Sequence, residues 1–236
     1  MPRSNEFNQP IGDDLDGWKP PGFPPLREFA GKYVKLEPLN RERHTQSLYA
    51  AYQDSPDSIW TYMPLGPFRD TAELGATIEA LAADSGWQPY AIVVHGTALG
   101  FMSYLRIDQP NGAIEIGSIV LSTGLQRTTP ATEAIYLLIK NAFDLGYRRC
   151  EWKCDDLNAP SRRAAQRLGF RYEGTFRHAT HYKGRNRDTA WYAITDHEWP
   201  ALDQAFRAWL ADDNFDRSGR QRSSLSNLRN QGRQRH

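Results

Sequence analysis

The chain has little sulfur, with two cysteines and three methionines among 236 residues. Cys150 and Cys154 lie four apart in a segment that reads as a strand. That puts them on one face, too far apart along it for an unstrained disulfide. Two cysteines are too few for a cysteine metal centre, so both read as buried free thiols. No run of about twenty apolar residues exists, which argues against a membrane-spanning helix. The first 25 residues, rich in Pro, Gly and Asp, contain no apolar signal core, and a cytoplasmic location is expected. Net charge is also small, at +1. It is unevenly placed, however. After Asp216 come Arg217, Arg220, Arg222, Arg229, Arg233 and Arg235 with no further acid. A polar, basic end without apolar periodicity reads as a disordered, solvated tail rather than a nucleic-acid arm. What is present is an ordinary globular composition, 39% apolar and 24% charged, in a chain long enough for one domain with a substantial core.

Residues 1–30 read as an extended lead-in, 31–212 as the folded domain and 213–236 as the tail. Alternation and turn signals predict seven strands: 33–36, 89–94, 99–107, 113–121, 149–154, 170–181 and 189–195. Turns are expected at His95-Gly96 and Asn111-Gly112. Helical spacing predicts helices over 41–52, 70–84, 129–145, 158–168 and 198–210. The order implies one mixed α/β sheet with helices on both faces.

Two helix starts stand out. In the tract 125–133, LQRTTPATE, Pro130 suits the first helical turn and Thr129 reads as the N-cap. Backbone N–H groups converging on such a start, with Arg127 beside them, suit a phosphate-bearing ligand. The second start, at Asn158-Ala159-Pro160-Ser161, carries Asn158 as another N-cap.

These segments resemble the acetyl-CoA motifs of the GNAT N-acetyltransferases. Gln126 and Ala131 match the ends of the family's Gln/Arg-x-x-Gly-x-Gly/Ala loop, while Thr129 replaces its central Gly. Asn158, Ser161 and the following Gly169-Phe170 are similar to its Asn-x-x-Ser…Gly-Phe segment. EIGSIVL and LGFRYEGTFR look closest to the ribosomal-protein-alanine acetyltransferase type. The resemblance covers about 31–199. It implies a twisted, mostly antiparallel sheet with a V-shaped splay between the 113–121 and 149–154 strands, where acetyl-CoA enters. It also implies direct attack by a primary amine. Cofactor contacts are then expected from Val120, Leu121, Gln126, Arg127, Thr128, Thr129, Ala131, Thr132, Asn158 and Ser161, with the backbone near Val120 or Leu121 as oxyanion donor.

Glu115 is the candidate base, a lone carboxylate in an apolar strand whose burial would move its pKa toward working pH. Ser122 is a candidate for positioning the acceptor or a water. The family's usual Tyr acid is missing, since none lies between Asn158 and Phe170, so no general acid is assigned. His178 and His181 flank a strand end near the expected cleft. The aromatic tract 58–68, with Trp60 and Tyr62, joined by Trp87 and Tyr90, is expected to wall the acceptor pocket.

The expected activity is acetyl transfer to a small-molecule amine or a protein N-terminus. A non-catalytic CoA-binding module is the alternative, motivated by Thr129 and the absent Tyr. An RNA-associated role for the Arg-rich tail is a third reading. No membrane or nucleic-acid partner is expected, and a homodimer is compatible with the sequence.

Overall fold

The computed structural model describes residues 3–233. A short hairpin, β1 (Arg3–Ser4) with β2 (Pro10–Ile11), precedes the main sheet. The sheet's strands are β3 (Phe29–Ala30), β4 (Lys35–Pro38), β5 (Trp87–Val94), β6 (Thr97–Asp108), β7 (Ala113–Leu121), β8 (Arg149–Asp155), β9 (Arg171–Tyr182) and β10 (Arg185–Thr195). Their order is β3-β4-β5-β6-β7-β8-β10-β9. All neighbours are antiparallel except β7 and β8. Parallel neighbours need a crossover. Here it is α3 (Thr129–Asp144).

The helices begin where their sequences supply caps. Asn40 accepts from Arg43 N–H at the start of α1 (Arg41–Gln53), and Asp70 from Glu73 N–H at α2 (Thr71–Ala83). Thr128, not Thr129, caps α3, its hydroxyl accepting from Ala131 N–H at 3.3 Å. Asn158 caps α4 (Ala159–Leu168) by accepting from Ser161 N–H at 3.1 Å. Helix α4 ends on Gly169, whose φ of 108° is a left-handed stop that a side chain would strain. Helix α5 (Trp199–Leu210) follows β10.

Two apolar layers cover the sheet. On one face Tyr90, Ile92, Met102, Tyr104, Ile114, Ile116, Cys150 and Trp152 pack with residues of α3 and α5 such as Leu138, Ile139 and Phe206. On the other, Ala91, Val93, Phe101 and Val120 pack with Leu48, Leu74 and Ile78 of α1 and α2. Both cysteines are free and buried, and burial pushes the Cys150 thiol well up.

The end of the chain corrects one expectation. Residues 217–233 are not a free tail, because α6 (Leu225–Arg233) packs on α4 and α5; the last three residues of the predicted tail lie outside the described residues. Leu225 is fully buried, and Arg229 Nη1 donates to the carbonyls of Gln166 and Arg167 at 2.6 and 2.7 Å. Asn214 holds the return, donating from Nδ2 to the Trp209 and Ser223 carbonyls. Arg229, one of the arginines that suggested disorder, thus caps the end of α4, an ordinary role for a cation at a helix C-terminus. The lead-in also packs onto the domain. Gln88 Nε2 donates to the Pro24 carbonyl at 2.5 Å, and Tyr147 Oη to that of Gly22 at 3.1 Å.

Candidate active site

Strands β7 and β8 pair only at Ala113–Arg149, Ile114–Cys150 and Glu115–Glu151. Beyond Glu115 they diverge, so the edge of β7 from Ile116 to Leu121 has no strand partner on that side. This is the V-shaped splay. A bulge deepens the irregularity. Pairing with β6 skips from Gly117–Ser103 to Val120–Phe101, and Ser118 takes a φ of 49°. The hydroxyls of Ser103, Ser118 and Ser122 are buried without a protein partner. Buried polar atoms are normally paired, so this concentration beside the splay is what a polar ligand would satisfy.

Beyond β7 the chain turns into α3. Leu125 and Gln126 N–H groups donate back to the Ser122 carbonyl, and Gln126 Nε2 donates to the Leu121 carbonyl at 3.0 Å. Arg127 is exposed with a φ of 62°. Among the described residues the N–H groups of Arg127, Thr128 and Thr129 have no protein acceptor. Successive free N–H groups at a left-handed turn before a helix form an anion-binding concavity. The positive φ falls on Arg127 and not on Thr129, so losing the central Gly costs this loop no backbone conformation. Two candidates face inward instead. Ala131 is buried, and Thr132 is buried with its hydroxyl held by the Thr128 carbonyl and by Arg167 Nη1. On the second helix start, Ser161 Oγ accepts from Trp152 Nε1 at 3.0 Å, fastening α4 to β8.

Glu115 sits at the apex of the splay and is buried, but it is not alone. Its Oε2 lies 2.7 Å from Arg106 Nη1 and 3.1 Å from Lys153 Nζ. Lys153 Nζ also lies 2.6 Å from Glu151 and 3.7 Å from the centre of the Trp191 ring. Glu151 takes Arg149 at 2.7 Å, and Arg149 reaches Glu173 on β9. The picture of a lone carboxylate in hydrocarbon is therefore corrected: Glu115 opens a chain of alternating charges. Gly117 makes room for it, since a Cβ there would stand 2.9 Å from Glu115 Oε1. Sequence reading passed over Arg106, Lys153 and Ser118. Alternation in EWKCD does put Glu151 and Lys153 on one face of β8, but their meeting with Glu115 depends on cross-strand register.

The aromatic tract is placed differently from expectation. Trp60 is buried between Tyr52 and Phe68, at ring distances of 4.9 and 5.2 Å, and borders a void of only about 20 Å³. Tyr90 is fully buried among Phe29 and Tyr104. Both are core, not pocket wall. Tyr62 stays half-buried, and Trp87 lines an open cleft. The tip of the β9–β10 hairpin clamps the tract. Lys183 Nζ donates to the carbonyls of Trp60, Leu65 and Gly66, and Arg185 to that of Thr61. His178 and His181 are exposed on β9, the outermost strand, away from the splay. Tyr182 Oη donates to Asp155 Oδ2 at 2.7 Å, and burial with that carboxylate pushes the phenol up to about 12.

A mixed sheet split between two parallel strands, with free backbone N–H groups at a turn on the open end, is the frame of an acyltransferase scaffold. Residues 34–171 match the acetyltransferase (GNAT) domain, and the chain belongs to the GNAT acetyltransferase family. It is similar to a GCN5-related N-acetyltransferase from Brucella melitensis, with 43% identity over 92% of this chain and 100% of that one, at a TM-score of 0.89. A probable GNAT acetyltransferase from Chromobacterium violaceum is 42% identical over 81% of this chain and 98% of its own, at 0.77. The microcin C7 self-immunity acetyltransferase MccE, solved with acetyl-CoA and AMP, shares the fold at 24% identity over 70% of this chain and 93% of its own, with a TM-score of 0.62. No curated protein matches the sequence significantly. The chain is thus an enzyme of the acyltransferase class. No helix among the described residues is long and apolar enough to cross a membrane, and none of their His, Cys, Asp and Glu side chains cluster as a metal site.

Proposed function

We propose that this chain transfers acetyl from acetyl-CoA to the primary amine of a small molecule. The observation that carries the reading is the apex itself, a buried carboxylate where β7 and β8 part. The residues present suit the cofactor. The Arg127–Thr129 backbone and the Arg127 guanidinium would hold its phosphates. The unpaired edge of β7 near Val120 and Leu121, with the hydroxyls of Ser118 and Ser122, would line its thioester arm. Asn158 and Ser161 lie at the start of α4, on the other wall. Bound acetyl-CoA would supply an activated acetyl group, whose C–S bond breaks once the C–N bond has formed, CoA leaving as the thiol.

The chain's own residues do the rest. An amine reaches neutral water as an ammonium and must lose a proton before it can attack. Glu115 Oε1, on the side of the carboxylate away from Arg106 and Lys153, takes that proton. A β7 N–H bears on the carbonyl oxygen as charge gathers there; one such donor is worth about 2.7–4 kcal/mol. The expected test is Glu115→Gln. It should lower kcat about a hundredfold or more. Acetyl-CoA affinity by calorimetry should stay nearly constant. An unchanged kcat would remove Glu115 from the chemistry. Cofactor binding without turnover on any amine would favour the non-catalytic module. The motifs EIGSIVL and LGFRYEGTFR support a protein N-terminus as the second acceptor reading, which an Ala- or Ser-starting peptide would test.

A further inference from the structure

A cavity of about 670 Å³, lined in part by Phe23, Trp87, Leu105, Arg106, Ile107 and Asp108, opens where β5 begins and β6 ends and belongs to none of the cofactor segments. Its position is set by register. Trp87 pairs with Leu105, Leu105 with Glu115, and Glu115 with Glu151, so these residues form one row across the sheet. Directly opposed residues on neighbouring strands present their side chains to the same face. Glu115 does not line the cleft; Leu105 stands between them, and Arg106 lines the one and bonds the other.

Arg106 connects the two. Next to Leu105 in a regular strand it would point to the other face. Instead the β6 pairing breaks after Leu105 and Arg106 takes a φ of 47°, which turns its side chain back toward Glu115. One guanidinium nitrogen is used there, at 2.7 Å from Oε2, and the side chain stays 62% exposed along the cleft. The cleft's acid is occupied otherwise, since Asp108 accepts from Asn111 N–H and Nδ2. Trp87 and Phe23 supply flat apolar surface. Phe23 is held in place by the bonds that fasten its neighbours Gly22 and Pro24.

We propose that this cleft seats the acceptor and selects an aromatic α-amino acid with a free carboxylate. A guanidinium and a carboxylate side by side complement an ammonium and a carboxylate borne on one carbon. The ligand's carboxylate would meet the remaining Arg106 donors, in the bidentate manner arginine favours, and its amine would lie past Leu105 on the Glu115 side of that guanidinium. Its ring would lie against Trp87 and Phe23. A peptide N-terminus brings no α-carboxylate and leaves Arg106 unanswered. The proposal rests on the acetyl-transfer reading with Glu115 facing the amine.

The test uses the full chain and four probes: L-phenylalanine, phenethylamine, L-phenylalaninamide and a Phe-starting peptide. Each is titrated by calorimetry without cofactor, then assayed with acetyl-CoA for thiol release. L-phenylalanine should be favoured over the other three by roughly ten- to hundredfold. Arg106→Met should erase that preference, and Trp87→Leu should weaken binding of all four probes while keeping the carboxylate preference. Near-ultraviolet circular dichroism identifies any variant that has lost its fold, and the wild-type ranking stands as the test in that case. Equal use of all four amines, a preference for the peptide, or no binding of L-phenylalanine would overturn the proposal. Selective binding of L-phenylalanine without acetyl transfer would leave the cleft standing and remove the acetyltransferase reading. Acetylation of carboxylate-free amines would do the reverse.

Discussion

Replacing Lys153 with Met should cost this protein about 3 kcal/mol of stability. The lysine side chain is 4% exposed, with Nζ 2.6 Å from Glu151 and 3.1 Å from Glu115. At an effective dielectric of about 20, each contact has a gross attraction of roughly 5–6 kcal/mol. Desolvation of the buried charges offsets most of that, so the gross figure is not what a mutant reports. The mutant reports the cost of leaving carboxylates buried without their shared cation, typically about 3–5 kcal/mol. The lower end applies here, because Glu115 keeps Arg106 and Glu151 keeps Arg149, each at 2.7 Å. Urea unfolding followed by tryptophan fluorescence should show the midpoint falling by about 1 M, taking a slope near 3 kcal/mol per molar. The neutral triple variant Glu115→Gln, Glu151→Gln, Lys153→Met should recover most of the loss, because no buried charge is left unpaired: Arg149 keeps Glu173 and Arg106 is largely exposed. A single variant within about 0.5 kcal/mol of the wild type would refute the reasoning. So would a triple variant as unstable as the single one.

Leu225→Ala should destabilise by about 3 kcal/mol in the same assay, since its side chain is fully buried under α6; no change would mean the C-terminal segment is loosely attached. The Arg149 guanidinium, 2.5 Å away, holds the Glu173 carboxyl below the usual carboxylate range. Its stabilisation is complete above the free-Glu value of about 4.3 and fades as pH falls through the lowered value, so Glu173→Gln should flatten melting temperature against pH on the acid side. Arg127→Ala should weaken CoA binding in calorimetry more than pantetheine binding; equal losses would show that Arg127 does not touch phosphate.

Much of the fold could be read in the chain because its signals are local. Asp70, Asn158 and Pro130 mark helix starts that depend only on nearby backbone, and the alternation of 113–121 needs no partner to be recognised. Capping slipped by one residue at α3, where Thr128 and Thr129 are chemically interchangeable and only the geometry of the turn chooses. The segment after Asp216 was misread for a different reason. Its composition is that of a solvated tail, and order comes from two apolar anchors, Leu225 and Leu228, and from Arg229 meeting carbonyls of α4, which are distant in sequence. Trp60 and Tyr90 show the same limit from the other side. Aromatic residues near turns suit a pocket or a core equally, and burial alone separates the two.

The site divides in the same way. Sequence by itself determined a turn suited to an anion before one helix, a second capped helix start, and a carboxylate in the strand that precedes both. These follow from spacing within single segments. Tertiary structure decided what Glu115 touches, because Arg106, Lys153 and Trp87 come to its row through register and bulges that join four strands. Register depends on how whole strands pair, and a left-handed residue such as Arg106 reverses the face that alternation assigns. The charge of Glu115 was therefore visible in the chain, and its partners only in the fold.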